Sequence, residues 1–187
     1  MEAFIILLLI FINGVFSMAE IAMISSRKSK LNAEASKGDK AARAAVRISS
    51  DPDKFLSTVQ MGVTLVGILT GIFSGDSLAR DFASLLTSLG IGAGTASVLS
   101  KAIIVFIVMF LSILLGELIP KRIAMSNPEK VAKALAGLMR FVSWTASPVV
   151  WLLAKSTALC TKALGIKERE SKVTEDEIKS IIEEGKD

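Results

Sequence analysis

The sequence contains no histidine and a single cysteine, Cys160, in 187 residues. One cysteine cannot form a disulfide within the chain, and without histidine the usual zinc and haem sites lose their ligands. Any metal ion that this chain holds must therefore be coordinated by oxygen. Because the chain also lacks a recognisable catalytic cysteine setting or aspartate pair, the usual groups for nucleophilic or acid–base catalysis are missing, and we expect that the protein is not an enzyme.

Charged residues are scarce relative to apolar ones. They make up 21% of the chain against 51% hydrophobic residues, and the mean hydropathy is +0.56. Soluble domains of this size are less apolar, so the composition indicates a membrane protein. The net charge of +4 does not indicate a nucleic-acid partner, because the cations flank apolar runs and are not interleaved with aromatic residues.

Three apolar segments are long enough to cross a bilayer as helices. They comprise residues 3–24, 55–73 and 98–119, and at about 1.5 Å per residue each spans a hydrocarbon core of roughly 30 Å. The first lacks the basic start and the cleavage site of a secretory signal, so we expect it to remain as an anchor. The sequence thus predicts an all-α membrane protein with three transmembrane helices plus cytosolic juxtamembrane or interfacial helices.

The distribution of basic residues predicts the orientation of these helices. Residues 25–54 carry eight Lys and Arg against four acidic residues, so the positive-inside rule places this loop in the cytoplasm and the N-terminus outside. Residues 76–94, with their glycine-rich turn, fit an outer loop that contains a short helix. We expect a multi-pass protein of the inner (plasma) membrane with a cytoplasmic C-terminus.

A fourth apolar stretch, residues 141–166, has cations on both flanks and Pro148 inside it. We expect an interfacial or partly inserted, kinked helix on the cytoplasmic side, because a full span would carry the tail outside. In the tail, Thr174 and Glu177 form a capping box at the start of a soluble helix with one apolar stripe. Residues 167–187 are therefore expected to begin a linker helix toward a cytosolic domain.

Polar and small residues recur within the first two spans. Asn13, Ser17 and Glu20 stand at i, i+4 and i+7, and therefore line one helical face. Thr64 in the second span adds another hydroxyl. The second span also carries a ridge of small residues at which another helix is expected to approach closely, formed by Gly67, Gly71 and Gly75.

The third span ends in LLGELIPKR, which places a carboxylate beside a helix break. Pro120 has no N–H to donate to the carbonyl four residues back, which belongs to Gly116. Backbone freed in this way is tolerated where it lines a cavity, and hard cations such as Mg²⁺ prefer oxygen ligands. The predicted cation site comprises Asn13, Ser17, Glu20, Thr64, Gly116 and Glu117.

Each of these residues also has a purely structural interpretation. Glu117 can pair with Lys121, its i+4 neighbour, and do nothing else. Glu20 lies close enough to the end of its span to extend its carboxylate into water. The hydroxyls can bond to helix carbonyls, as Ser and Thr often do in membranes.

Four motifs, in this order along the chain, resemble the CorC/CNNM proteins. They are NGVFSMAEIAMISSRKSKL in the first span, TVQMGVTLVGILTG in the second, GELIPK at the end of the third and VTEDEIKSIIEEG in the tail. The similarity covers essentially the whole chain, which implies a CNNM-type transmembrane domain over residues 1–166. It also implies a homodimer in membrane lipid. In the family a pair of CBS modules that bind adenine nucleotides follows, so we expect this chain to be part of a longer protein.

The resemblance implies transport of Mg²⁺, with efflux driven by Na⁺. Glu117 matches the ion-site carboxylate of the family, and Asn13 and Ser17 match polar positions of its first span. Ion-binding members often carry asparagine where this chain has Val63 or Gly67. The segment QMGVTLVGIL is more similar to a bacterial, hemolysin-like branch that includes polyamine exporters.

Three functions therefore remain open at the level of sequence. The first, which is the leading prediction from the sequence, is Mg²⁺ transport. The second is export of a polyamine such as putrescine or cadaverine, whose amines Glu117 and Glu20 can receive. The third is a membrane regulator that transports nothing and controls another ion transporter.

Overall fold

The structure, a computed structural model, describes residues 2–74 and 77–164. Within these residues the chain is helical and contains no strand, which confirms the all-α prediction. The elements are α1 (Glu2–Ser25), α2 (Lys28–Ser36), α3 (Lys40–Ser49), α4 (Pro52–Ser74), α5 (Ser77–Ser88), α6 (Ala93–Ile113), a π-helical segment (Leu114–Leu118), α7 (Ile119–Ser126) and α8 (Pro128–Ala163).

Four helical stretches in the described part of the chain are long and apolar enough to cross a membrane. They begin at α1, α4, α6 and α8, and the first three correspond to the predicted spans. The fourth, α8, is the stretch expected to lie at the interface. Its 36 residues form one helix with Pro148 inside it, so the proline does not divide the segment. The count of three spans and the side on which each terminus lies stay predictions.

The segments between the spans adopt the expected helical structure. The cationic segment after α1 forms α2 and α3, and the segment after α4 contains the short helix α5. The predicted tail helix, with Thr174 and Glu177, lies outside the described residues, as does Asp76. By its internal contacts the chain divides into two units, Met1–Val150 and Trp151–Asp187.

The buried core of the first unit is built from residues of α1, α2, α3, α4, α7 and α8. Leu31 of α2, Val59 of α4 and Met139 of α8 are almost completely buried in one apolar cluster with alanines of α1, α3 and α7. By contrast, large apolar side chains such as Phe106 and Phe110 of α6 are exposed. Exposed apolar surface of this extent fits a lipid environment better than water.

The small-residue ridge of α4 differs from its prediction. A Cβ added at Gly67 or Gly71 would meet no atom within 4 Å, so the described part of this chain makes no close helix contact at these two positions; Gly75 is outside the described residues. The close approach occurs at Gly62, where a Cβ would lie 2.6 Å from the ring of Phe16. Spacing alone identifies small residues but does not show which face a neighbour covers.

Asp39 begins α3 as its N-cap. Its carboxylate accepts hydrogen bonds from the N–H groups of Ala41 at 2.8 Å and Ala42 at 3.1 Å, and from the Lys133 ammonium at 3.1 Å. The Ala42 bond, followed by the Lys133 bond, lowers the pKa of Asp39 below its ordinary 3.8. Asp39 thereby connects the start of α3 to α8.

Replacing Asp39 by alanine is expected to lower the melting temperature at neutral pH, because two helix N–H groups lose their acceptor. Since folding lowers this pKa, the stabilisation is complete above 3.8 and disappears as the pH falls through the lower folded value. Thermal melts at descending pH should therefore converge for the two proteins. Asp39→Asn keeps a capping oxygen without the charge and should lose less than alanine; a gap that is the same at every pH would contradict this assignment.

Candidate cation site

The polar face of α1 meets the π-helical segment at the carbonyl of Gly116. Asn13 Nδ2 donates to this oxygen at 3.1 Å, and Ser17 Oγ donates to it at 3.0 Å. Ser17 and Gly116 are buried and Asn13 is partly buried. Three of the six predicted site residues, from segments about a hundred positions apart, therefore form one hydrogen-bonded junction.

The π-helical segment follows from the position of Pro120. In an α-helix the carbonyl of Gly116 would accept from the N–H of residue 120, and proline has none. The helix widens here instead, so that the N–H of Ile119 donates to the carbonyl of Leu114, five residues back. The Gly116 oxygen is left without a donor from its own helix. Asn13 and Ser17 of α1 supply the missing donors, which explains why this buried carbonyl is tolerated.

Two glycines allow α1 to come this close. A Cβ at Gly116 would lie 3.1 Å from Asn13 Nδ2 and 3.2 Å from the carbonyl oxygen of Ile10. A Cβ at Gly14 would lie 3.0 Å from Pro120 Cγ and 3.2 Å from the carbonyl oxygen of Leu115. Such contacts are tighter than ordinary van der Waals packing, so the junction requires glycine on both helices.

The amide oxygen of Asn13 is left without a partner. Because its nitrogen faces the Gly116 oxygen, Oδ1 must find a donor or a cation elsewhere, and it finds neither among the residues that the structure describes. A buried acceptor in this state costs about 1 to 3 kcal/mol. Asn13 Oδ1 is therefore an oxygen suited to an incoming cation or N–H donor.

The two carboxylates of the predicted site share one lysine. Lys121 Nζ lies 2.7 Å from Glu117 Oε1 and 4.0 Å from Glu20 Oε2. The side chain of Glu117 is 46% exposed and that of Glu20 is 31% exposed, so the described part of the chain encloses neither carboxylate. The pairing of Glu117 with Lys121 considered from the sequence is present, and Glu20 joins it from α1.

A cavity of about 290 Å³ lies between α1, α4 and α6. Asn13, Thr70 and Ser112 are its polar side chains, and Thr70 already donates to the carbonyl of Val66 at 2.8 Å. The remaining wall is formed by apolar or small residues, namely Ile10, Val63, Val66, Gly67, Gly71, Val105, Val108 and Met109. Asn13 thus belongs both to the cavity wall and to the Gly116 junction.

The six predicted site residues fall into three groups. Asn13, Ser17 and Gly116 form the junction, Glu20 and Glu117 hold Lys121, and Thr64 is exposed on α4 and does not line the cavity. Their roles as cation ligands stay predictions. Nowhere in residues 2–74 and 77–164 do three His, Cys, Asp or Glu side chains come together as a metal site.

Sequence reasoning did not identify Thr70 and Ser112 as cavity residues or Lys121 as a bridge between two carboxylates. Ser112 is four residues before Gly116, a spacing that the sequence already offers as a signal. Thr70 has no comparable signal, because its position depends on how α4 is rotated against α6.

Ser17→Ala is expected to lower the free energy of unfolding by about 1 kcal/mol, because it removes one of the two donors to the buried Gly116 carbonyl. Thr70→Val is a suitable control, because the Thr70 hydroxyl only bonds within its own helix and its loss should change stability little. Denaturation in detergent measures both. Equal stability of the Ser17 variant and the parent protein would show that the junction contributes nothing.

The sequence of this chain is similar to those of known proteins. The family description "Cyclin M transmembrane N-terminal domain", abbreviated CNNM, matches residues 4–187. This chain belongs to the CNNM family. The CNNM chain is 41% identical to UPF0053 protein sll0260 of Synechocystis. The alignment covers 99% of this chain and 42% of the Synechocystis protein.

Two further relatives have similar coverage. The CNNM chain is 33% identical to a protein of Haemophilus influenzae named "Polyamine export protein", over 96% of this chain and 42% of that protein. It is 31% identical to UPF0053 protein YhdP of Bacillus subtilis, over 94% of this chain and 40% of that protein. The chain thus spans about two fifths of the length of these curated relatives.

Proposed function

We propose that this chain is the membrane domain of a transporter that exports an organic cation of the polyamine class. The observation that carries the proposal is the position of the Lys121 ammonium, held by Glu117 and reached by Glu20. A polyamine carries the same primary ammonium group at each end. The carboxylates that hold Lys121 are therefore suited to a substrate amine that replaces it.

The composition of the cavity supports the same class of substrate. Its walls are largely aliphatic, with Asn13, Thr70 and Ser112 as the few polar groups. A linear diamine combines a methylene chain, which aliphatic walls accommodate, with ammonium ends that seek isolated oxygen acceptors. Val63 and Gly67 line the cavity and offer no side-chain oxygen to a metal ion there.

The named relatives add support of a different kind. The Haemophilus influenzae protein at 33% identity and a protein of Escherichia coli K12 at 32% identity are both named "Polyamine export protein". Each aligns with nearly the whole of this chain. Their names describe those proteins, and this chain shares their membrane domain.

Mg²⁺ transport driven by Na⁺ is the second candidate, and one specific observation favours it. Asn13 Oδ1 has no hydrogen-bond partner among the described residues. The Nδ2 atom of the same side chain and the Ser17 hydroxyl both donate to the Gly116 carbonyl. Uncharged oxygens of this kind, with Glu117 nearby in sequence, are ligands of hard cations. Within residues 2–74 and 77–164 no three His, Cys, Asp or Glu side chains come together, which makes this site a weak one for a divalent ion.

A regulator without transport is supported less well. The polar side chains of α1 converge on the π-helical segment within one chain, as expected of a translocation site and not of a simple anchor. The proposal includes a homodimer in the plasma membrane, with the N-terminus outside and the C-terminus in the cytoplasm. It also includes a cytosolic CBS pair that binds adenine nucleotide, and no enzymatic activity.

Flux measurements with the full-length protein in proteoliposomes test the proposal. Labelled putrescine and cadaverine in one set of vesicles, and Mg²⁺ with and without a Na⁺ gradient in another, should give amine flux that exceeds Mg²⁺ flux. Flux of Mg²⁺ alone would replace the first candidate by the second. If the protein transports neither the amines nor Mg²⁺, the result would favour a regulator that transports nothing. Thermal melts with each cation measure binding independently, because a ligand of the folded state raises the melting temperature.

A further inference from the structure

A second cavity, of about 390 Å³, lies where the end of α3, the start of α4 and the middle of α8 meet. It is separate from the candidate cation site and shares no residue with it. Its lining combines charged, hydroxyl and aromatic side chains: Ala44, Arg47, Ile48, Asp51, Lys54, Phe55, Arg140, Ser143, Trp144 and Ser147.

The charge of this cavity is strongly unbalanced. Arg47, Lys54 and Arg140 contribute three cations, whereas Asp51 is the single carboxylate in the lining. Asp51 already accepts the N–H of Lys54 at 3.2 Å, at the beginning of α4. In the described part of the chain none of the three cations forms an ion pair, unlike Lys133 nearby on α8, which pairs with two carboxylates.

The position of these cations along their helices matches the edge of a bilayer. Lys54 directly precedes the apolar run of α4, and Arg140 directly precedes the apolar run of α8. Trp144, one turn beyond Arg140, lines the cavity and is 75% exposed. Tryptophan is enriched at the level of lipid headgroups, and basic pockets between membrane helices bind anionic headgroups.

We propose that this cavity, which contains Arg47, Lys54, Arg140 and Trp144, binds the phosphate-bearing headgroup of an anionic membrane lipid. The guanidinium and ammonium groups neutralise the phosphate, and Ser143 and Ser147 offer hydroxyl donors. Phe55, Ile48 and Trp144 form an apolar side that contacts the glycerol and upper acyl carbons. This apolar side distinguishes a lipid from free phosphate, which would gain nothing from it.

The position of the cavity gives the bound lipid a structural consequence. Its headgroup would join α3, α4 and α8, three helices whose cations otherwise repel one another across the cavity. An anionic lipid should therefore stabilise the domain more than a zwitterionic lipid of the same chain length.

The test uses the full-length protein in detergent, titrated with a short-chain phosphatidylglycerol while the melting temperature is recorded. A triple variant is expected to bind this lipid roughly a hundredfold more weakly; it combines Arg47→Gln, Lys54→Gln and Arg140→Gln. Each cation near an anionic headgroup contributes about a fivefold change in affinity. A matched control variant loses three exposed cations outside the cavity, so that its net charge changes by the same amount. It combines Lys37→Gln, Lys40→Gln and Lys130→Gln. The control should keep the parent affinity.

Two further titrations show whether the cavity binds an anionic lipid, any lipid, or phosphate alone. Phosphatidylcholine of the same chain length and inorganic phosphate should each give a much smaller shift than phosphatidylglycerol. Equal shifts with phosphatidylcholine, equal shifts with phosphate, or equal losses in the cavity and control variants would each overturn the proposal. If the triple variant does not fold, Arg140→Gln alone, at an exposed position of α8, should still weaken binding about fivefold.

Discussion

Glu117→Gln is expected to reduce transport of putrescine by the full-length protein about tenfold to a hundredfold, as the loss of one charge-assisted hydrogen bond implies. The reason is that the amide keeps the shape of the side chain but has no charge to hold a substrate ammonium in place of Lys121. The fold should survive, because Glu117 is 46% exposed and its pairing is not part of the apolar core. Flux in proteoliposomes and a thermal melt measure the two effects separately.

Lys121→Met is the matched variant, and the proposal predicts the opposite change in affinity. It removes the ammonium group that competes for Glu117 and Glu20, so the KM for putrescine should fall. If Glu117 and Lys121 formed only a structural pair, both variants would act alike, with a stability cost of about 0 to 1 kcal/mol and unchanged flux. That result would remove these carboxylates from the transport mechanism.

Gly67→Leu is expected to prevent substrate from entering the cavity while leaving the domain folded. Gly67 lines the 290 Å³ cavity, and a Cβ there would meet no atom within 4 Å in the described residues. The Cβ of a leucine therefore meets no neighbour, and the rest of the side chain adds apolar volume to the lining of the cavity. An amine substrate would then have to share the cavity with the leucine side chain and would overpack it. The affinity for the amine should therefore fall roughly tenfold to a hundredfold.

Gly137→Leu provides the control, since Gly137 of α8 also has no neighbour within 4 Å among the described residues and does not line the cavity. It should bind and transport like the parent protein. Amine-dependent thermal shifts and flux measure both variants. Normal transport by the Gly67 variant would show that substrate does not pass through this cavity.

Much of the fold follows from the sequence itself. Apolar runs of bilayer length predict the helices that become α1, α4 and α6, because without water a backbone must satisfy its own hydrogen bonds as a helix. The sequence also predicts that Asn13, Ser17 and the Gly116 carbonyl belong to one polar site, although not that they bond to one another. The spacing of Asn13 and Ser17 places them on one face of α1, and Pro120 deprives the Gly116 carbonyl of its helical donor.

Other features depend on how the helices pack, which local patterns do not encode. The rotation of α4 decides that Gly67 lines a cavity, that Thr64 is exposed, and that Gly62 is the glycine in close contact with α1. Helical spacing gives the residues that share a face but not the neighbour that the face meets. The approach of Glu20 to Lys121 and the meeting of three cations beside Trp144 likewise join distant segments, so only the tertiary structure decides them.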